Sequence, residues 1–377
     1  MAGAAGVAQT FGRFTYSLLL TDVRNDLGLS NTVAGGLGTV NLLAYLAGTI
    51  VVSVTVGRAG LVAMTRIGIV ASTTGIGLLA WSPNLVVVVV GQVVAGLGGA
   101  AVWVTAPSLA TASVNPARRG LAIGLAGTGI GVGMIVASTV ASALEDDSWR
   151  SVYAFQLVVA VVVVGLVMTV VRANPADSVT GRQGLASVSA VRGWRPLLGA
   201  YAAYGLSLAL FINYLVASLR DDSGFSASEA AFAFTAFGVG TIAGGPILGP
   251  LSDRFGRRSG LVTAFALMIV CSAIVPTGSR PWATVAAAGF GLAFTGVPTG
   301  VAATIRDDVD GTAFGAAFGA ATLAFGAALM IGPQLGGVIG DLTGSFDLVF
   351  VLAALTAVLG LTLAVAATHR PPATTSP

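Results

Sequence analysis

Gly249-Pro250-Leu251-Ser252-Asp253-Arg254-Phe255-Gly256-Arg257-Arg258 is a short charged interruption between two long apolar runs. The runs cover roughly residues 228–251 and 260–276. Each is close to the length a helix needs to cross ~30 Å of hydrocarbon. The same ruler, moved outward, gives ten further spans. They are 2–21, 33–56, 61–81, 85–107, 120–142, 151–171 and 196–219 on one side, and 281–304, 312–338 and 347–368 on the other. Of the 377 residues, 55% are hydrophobic and only 9% charged, against about 25% charged in a soluble domain. The chain therefore reads as an all-α membrane protein of about twelve transmembrane helices. Its 52 glycines fit no cofactor motif, but they let membrane helices approach closely. Cys271 stands alone, which precludes an intramolecular disulfide, and it reads as a small core residue.

The charges report topology. All 18 basic residues are arginines, and the net charge is +3. With the N-terminus inside, the inner loops and tail hold Arg58, Arg118, Arg119, Arg172, Arg182, Arg192, Arg195, Arg254, Arg257, Arg258, Arg306 and Arg370. The outer loops hold only Arg24, Arg150, Arg220 and Arg280, beside the acidic Glu145, Asp146, Asp147, Asp221 and Asp222. That asymmetry places both termini in the cytoplasm. It makes the lipid bilayer the partner of the basic charge, with no role for nucleic acid. A plasma-membrane monomer is expected. No basic region precedes the first apolar run, so a cleaved signal peptide is not expected. Met1 leads almost directly into span one, and a short extension ahead of it is expected to be missing.

The chain repeats itself at an offset of 196 residues. Gly28-Leu29-Ser30 precedes span two and Gly224-Phe225-Ser226 precedes span eight. In that register Ala34 pairs with Ala230, Thr39 with Thr235, Gly48 with Gly244, Arg58 with Arg254 and Gly60 with Gly256. Ser148-Trp149 echoes Ser345-Phe346 at the heads of spans six and twelve. The repeat divides the chain into a six-helix bundle at 1–171, a cytoplasmic linker at 172–194, a second bundle at 195–369 and a cytoplasmic tail at 370–377. Many secondary transporters are built so, with the substrate at the interface of the repeats.

The quoted loop resembles the signature loop of the major facilitator superfamily: a Gly, three residues, Asp-Arg, one residue, then Gly and two basic residues. Residue pattern, loop side and span number all agree, and the resemblance covers the whole chain. It implies a two-bundle fold that rocks about a central cavity, driven without ATP. Consistently, the chain has no Gly-Lys-Ser/Thr phosphate loop, and neither a cofactor nor a metal is expected. Gly249, Asp253, Arg254, Gly256, Arg257 and Arg258 are read as a gating loop. Asp253 is expected to pair with Arg254 or a neighbouring helix end in one conformation only, with Arg257 and Arg258 against the anionic inner surface. In the first half this loop is eroded: Ser53, Gly57, Leu61 and Val62 stand at the matching positions, and only Arg58 and Gly60 survive.

Charges deep in a membrane default to function, and Arg13 is the deepest here. On a regular helix Gln9, Arg13, Tyr16 and Ser17 share a face. Span one lines the cavity in the superfamily that the chain resembles, so Arg13 is read as an anion contact, its planar fork suiting a carboxylate. Its counterpart is Ala209, which disfavours a doubly charged phosphate ester held between two arginines. Further substrate-binding candidates are Asn41, Gln92 and Trp103 on spans two and four, and Asn213 and Tyr214 on span seven. The superfamily often has an Arg where Gln92 stands, associated with proton handling, so family-style proton coupling is in doubt. Asp22 is the best group available to titrate during a cycle. Gly120, Gly124, Gly127 and Gly131, with Gly315 and Gly319, suggest smooth faces for close helix crossing, and Pro333 suggests a kink. Arg66 lies within snorkelling distance of the inner face and reads as structural.

These features describe a secondary carrier for a small organic solute, an organic anion by the evidence of Arg13. Whether it is a symporter or an antiporter stays open, and the response of vesicle uptake to a pH gradient separates the two from simple exchange. Efflux of amphipathic compounds is one alternative, and a non-transporting sensor or scaffold is another. No enzyme is expected, because no span holds a His/Asp/Glu cluster or paired carboxylates. Asp253→Ala is expected to leave membrane insertion intact and to cut transport severalfold. A well-expressed mutant with unchanged uptake rejects the gating role.

Overall fold

The computed structural model describes residues 1–112, 114–115, 119–144, 148–172, 189–309 and 311–368. Arg118, Glu145, Asp146, Asp147, Arg182, Arg370, most of the 172–194 linker and the 370–377 tail lie outside the described residues. Twelve helices cover the rest. They are α1 (residues 2–26), α2 (Asn31–Ala59), α3 (Leu61–Ala80), α4 (Leu85–Thr111), α5 (Arg119–Ala143) and α6 (Trp149–Val170) in the first half. The second half has α7 (Trp194–Asp221), α8 (Ala227–Phe255), α9 (Arg257–Ile274), α10 (Arg280–Asp308), α11 (Gly311–Thr343) and α12 (Asp347–Thr368). Helices α2–α12 are each long and apolar enough to cross a membrane. The first helix is interrupted, because Gly6–Phe14 is wound as a wider π-helix between Ala2–Ala5 and Thr15–Asp26.

Local chemistry sets the boundaries, and it does so twice. Ser30 Oγ accepts the N–H of Val33 at the start of α2, and Ser226 Oγ accepts that of Glu229 at the start of α8. Glu229 returns a bond to the Ser226 N–H and completes a capping box. The turns after these helices run through Gly60 at φ +83° and Gly256 at φ +90°, a backbone region that L side chains rarely enter. Both pairs stand 196 residues apart, so the repeat is written in the backbone as well as in the letters.

The two halves meet along α1–α7, α2–α11 and α5–α8. At one end the contact is dense with polar groups. Arg24 bridges Asp221 at 2.7 Å, and Arg220 holds both oxygens of Asp22 at 2.7 and 2.8 Å. The Asp341 carboxylate accepts the N–H groups of Asn31 and Thr32 at the start of α2, where a helix favours negative charge. Asp26 holds Trp149 and Arg150 at the head of α6, and its counterpart Asp222 holds the Phe346 N–H at the head of α12. Burial raises the Asp222 carboxyl above its usual value, against the lowering effect of that bond.

Deeper in, two threonines related by the repeat fasten the halves together. Thr235 of α8 shares a 2.6 Å hydrogen bond with Ser138 of α5. Thr39 of α2 reaches α11, where its hydroxyl accepts the Gln334 N–H at 3.1 Å and donates to the Met330 carbonyl at 3.2 Å. It thereby stands between a donor and an acceptor four residues apart, beside Pro333. Gly35 and Gly38 of α2 pack on Pro333, with no room for a side chain at Gly35.

The other end is open. A Cβ placed on Gly57, Gly60, Gly124, Gly127, Gly245, Gly249, Gly315 or Gly319 would meet nothing within 4 Å. This corrects the expectation that Gly124, Gly127, Gly315 and Gly319 form crossing faces: no other helix approaches them closely. Close crossing falls instead to Gly131 against Gly238, Gly129 against Ala2 and Gly133 against Thr10. Among the described residues, the ion pairs that join the halves lie at the end of Arg24 and Arg220, whereas those of the charged loop stay within the second half. Thr39→Val is expected to lower stability by about 1–3 kcal/mol, because it strands the Gln334 N–H, whereas Thr39→Ser keeps the bond. Thermal unfolding in detergent checks this, and equal stability of all three proteins counts against it.

Candidate functional site

Where the halves meet midway along the helices, a small space is lined by Arg13, Phe14, Tyr16, Ser17, Gly38, Asn41, Leu42, Gln92 and Asn213. Four of the eight substrate-binding candidates (Arg13, Asn41, Gln92 and Asn213) line it. Tyr16 also lines it, but its hydroxyl is committed to the Ala34 carbonyl at 2.7 Å. Ser17 donates to Asn213 Oδ1 at 2.8 Å. These two residues are repeat counterparts, so the bond crosses the pseudo-twofold axis. The Asn213 amide returns to the Ala209 carbonyl of its own helix.

Arg13 is half-buried. Its guanidinium lies 4.8 Å from the Phe14 ring centre and 5.6 Å from that of Tyr45. Among the described residues it has no hydrogen bond and no ion pair. Aromatic faces give a cation partial compensation, but none of the lining residues is acidic. The π-helical turn carries Arg13, and its wider winding shifts the faces expected of a regular helix. Gln9 is accordingly turned to α4, where its amide donates to the Gly99 carbonyl at 3.1 Å.

Other candidates lie elsewhere. Trp103 is half-buried, about a turn beyond Gly99 on α4, and does not line the space. Tyr214 is fully buried and turned away from it; the hydroxyl donates to the Pro333 carbonyl and the ring stacks on Phe346. The physical reason is the α11 kink, which offers a buried carbonyl and the small Gly336 as a seat. Asp22 sits at the closed end in its bridge to Arg220. On the same helix as Tyr214, Tyr204 bonds to the Phe294 carbonyl and Phe211 stacks on Phe290 at 3.8 Å, both within the packing. Tyr45 and Phe14 went unnoticed in the sequence, because an aromatic in an apolar helix carries no signal of facing a cation. Arg66 donates to the Met168 and Val171 carbonyls and closes the end of α6.

Of the two pairings expected for Asp253, the charged loop shows the one with a neighbouring helix end. Asp253 binds Arg257 at 2.5 Å, across the Gly256 turn, and not Arg254. Arg257 Nε also reaches Asp307 at the end of α10 at 3.1 Å, so it ties three helices together. The i, i+4 spacing brings Arg257 over Asp253, while Arg254 points to the ring of Phe255 at 5.4 Å.

Residues 5–365 match the family described as "Uncharacterised MFS-type transporter YbfB". No curated protein sequence matches the chain. Among solved structures, a crystal structure of a mutant of the nucleoside transporter NupG aligns with a TM-score of 0.76 at 12% identity. The alignment covers 98% of this chain and 100% of that one, and at that identity the likeness is one of fold.

A double-mutant cycle on thermal unfolding is expected to find coupling of about 0.3–0.5 kcal/mol between Asp253 and Arg257, and none between Asp253 and Arg254. Coupling confined to the Asp253–Arg254 pair contradicts the arrangement described.

Proposed function

The chain belongs to the major facilitator superfamily, and on that premise we propose that it is a secondary carrier for a small organic anion, working by alternating access. Arg13 carries the reading. It is a half-buried guanidinium, midway along the helices, beside a space with no acidic residue in its lining. A cation left without a counter-charge in a membrane interior is costly, and an anionic substrate supplies the missing partner. A planar guanidinium gives a carboxylate two parallel N–H bonds. The apolar and aromatic groups around it, Phe14, Leu42 and Tyr45, suit an organic body. An amphipathic cation is disfavoured as cargo by the same charge.

The arginine bias supports an inner placement of the end that carries Arg58, Arg254, Arg257 and Arg258, with both termini cytoplasmic. In that orientation the bridges Arg24–Asp221 and Arg220–Asp22 close the outer side. Those bridges must part for the opposite state to form, as expected of a carrier that exposes one site to two sides in turn.

Thermal stabilisation of the purified protein across a panel of organic anions, amino acids and drugs tests the reading, since a bound ligand raises apparent stability by mass action. Organic anions are expected to stabilise the wild type, and Arg13→Gln is expected to lose about 2–3 kcal/mol of that binding, a factor of roughly 30–150 in affinity. Equal stabilisation of the Arg13→Gln protein by the same anions excludes the assignment.

A further inference from the structure

Arg13 gives the central space its charge; a pair of amides beside it gives selectivity. Asn41 Nδ2 faces three acceptors: the Gly12 carbonyl at 3.0 Å, the Gln92 carbonyl at 2.9 Å and the Gln92 side-chain Oε1 at 3.0 Å. Gly12 immediately precedes Arg13, so the cluster is anchored on the residue next to the cation. Two atoms are left over. Gln92 Nε2 and Asn41 Oδ1 have no hydrogen-bond partner among the described residues. Gln92 is 0% and Asn41 2% exposed, and both line the same space as Arg13.

Exchanging oxygen and nitrogen in either amide does not cure this. Turning Asn41 would set its oxygen against two carbonyls, and turning Gln92 would set one NH2 group against another. The backbone acceptors therefore fix which atoms are free: a donor on Gln92 and an acceptor on Asn41. Buried amide groups are costly to leave unpaired. A site built on such groups rejects ligands that cannot complete them.

Resting on the proposed role of Arg13, we infer that the substrate is a carboxylate bearing a hydroxyl or a carboxamide close to the carboxyl group. The carboxylate binds Arg13, and the second group accepts from Gln92 Nε2 while donating to Asn41 Oδ1. A hydroxyl or a carboxamide meets both demands; a methylene, a keto oxygen or an ammonium does not. Asn41 also ties α1 to α4, whereas the free end of Gln92 ties nothing. Gln92 is thus the specificity-determining residue to probe.

The experiment measures binding of two matched pairs, lactate against propionate and mandelate against phenylacetate, to the purified full chain by calorimetry. Wild type is expected to favour the hydroxylated member of a pair by about tenfold, the factor one hydrogen bond supplies. Gln92→Met is expected to bring the two members within about twofold. Should Gln92→Met fail to fold, Gln92→Glu keeps the acceptor for Asn41 and removes the donor, and is expected to bind neither hydroxy acid. Wild-type binding that depends on Arg13 but ignores the hydroxyl overturns this inference and leaves the anion reading standing. In that case the free amide atoms serve a structural water. Failure of all four compounds, or binding that survives Arg13→Gln, overturns the anion reading and this inference with it.

Discussion

Hydrocarbon offers no hydrogen bonds, so polar groups at membrane depth must find their partners within the protein. That constraint organises this protein. Thr10 donates to the Ile130 carbonyl, Gln156 to Thr15, Ser207 to the Ala353 carbonyl and Tyr204 to the Phe294 carbonyl. Each bond joins two helices and sets their rotation. Some buried side-chain atoms still lack a partner among the described residues, those of Ser72, Ser252 and Ser272 among them. Two others, Gln92 Nε2 and Asn41 Oδ1, belong to residues that line one space together with Arg13, where the halves meet. The shared space beside a cation, and not the lack of a partner alone, distinguishes this pair.

The repeat explains how the halves can part. Thr39 and Thr235 occupy matching positions, and each reaches from the second helix of its half to the fifth of the other. Ser17 and Asn213, also a matching pair, touch each other at the centre. Away from the ion pairs at one end, the halves are joined by polar contacts of small residues, which can part with little disruption to either core. The charges, by contrast, are divided unequally. The second half holds the ordered loop of Asp253 and Arg257, and the first half holds the deep cation.

Much of this was legible in the chain, for stated reasons. Apolar length and arginine bias are properties of single segments, so twelve helices and their ends could be read directly. Positions 60 and 256 required glycine in both halves, which made the 196-residue register visible. Helices nevertheless run a few residues past the apolar runs, as α11 does to Thr343, because arginine and threonine remain helical beyond the hydrocarbon. Side-chain partners were less legible. Asp253 met Arg257 because the Gly256 turn sets the two on one side, which adjacency in sequence hides. Tyr214 turned to Pro333 because a kink exposes a carbonyl, and Gln9 turned to Gly99 because α1 winds wider than a regular helix. Each depends on a neighbouring helix or on a local change of pitch, and neither is written in one segment's pattern.

In the proposed cycle, two unequal halves pivot about an anion held at Arg13. Spin labels at Trp81 and Trp282, at the closed end, and at Ala59 and Phe255, at the open end, measure the pivot directly in lipid. On addition of an anion that stabilises the protein, the account predicts opposite changes: the first distance grows in part of the population while the second shrinks, and neither moves in Arg13→Gln. Distances that stay fixed, or that change together in the same direction, would contradict it.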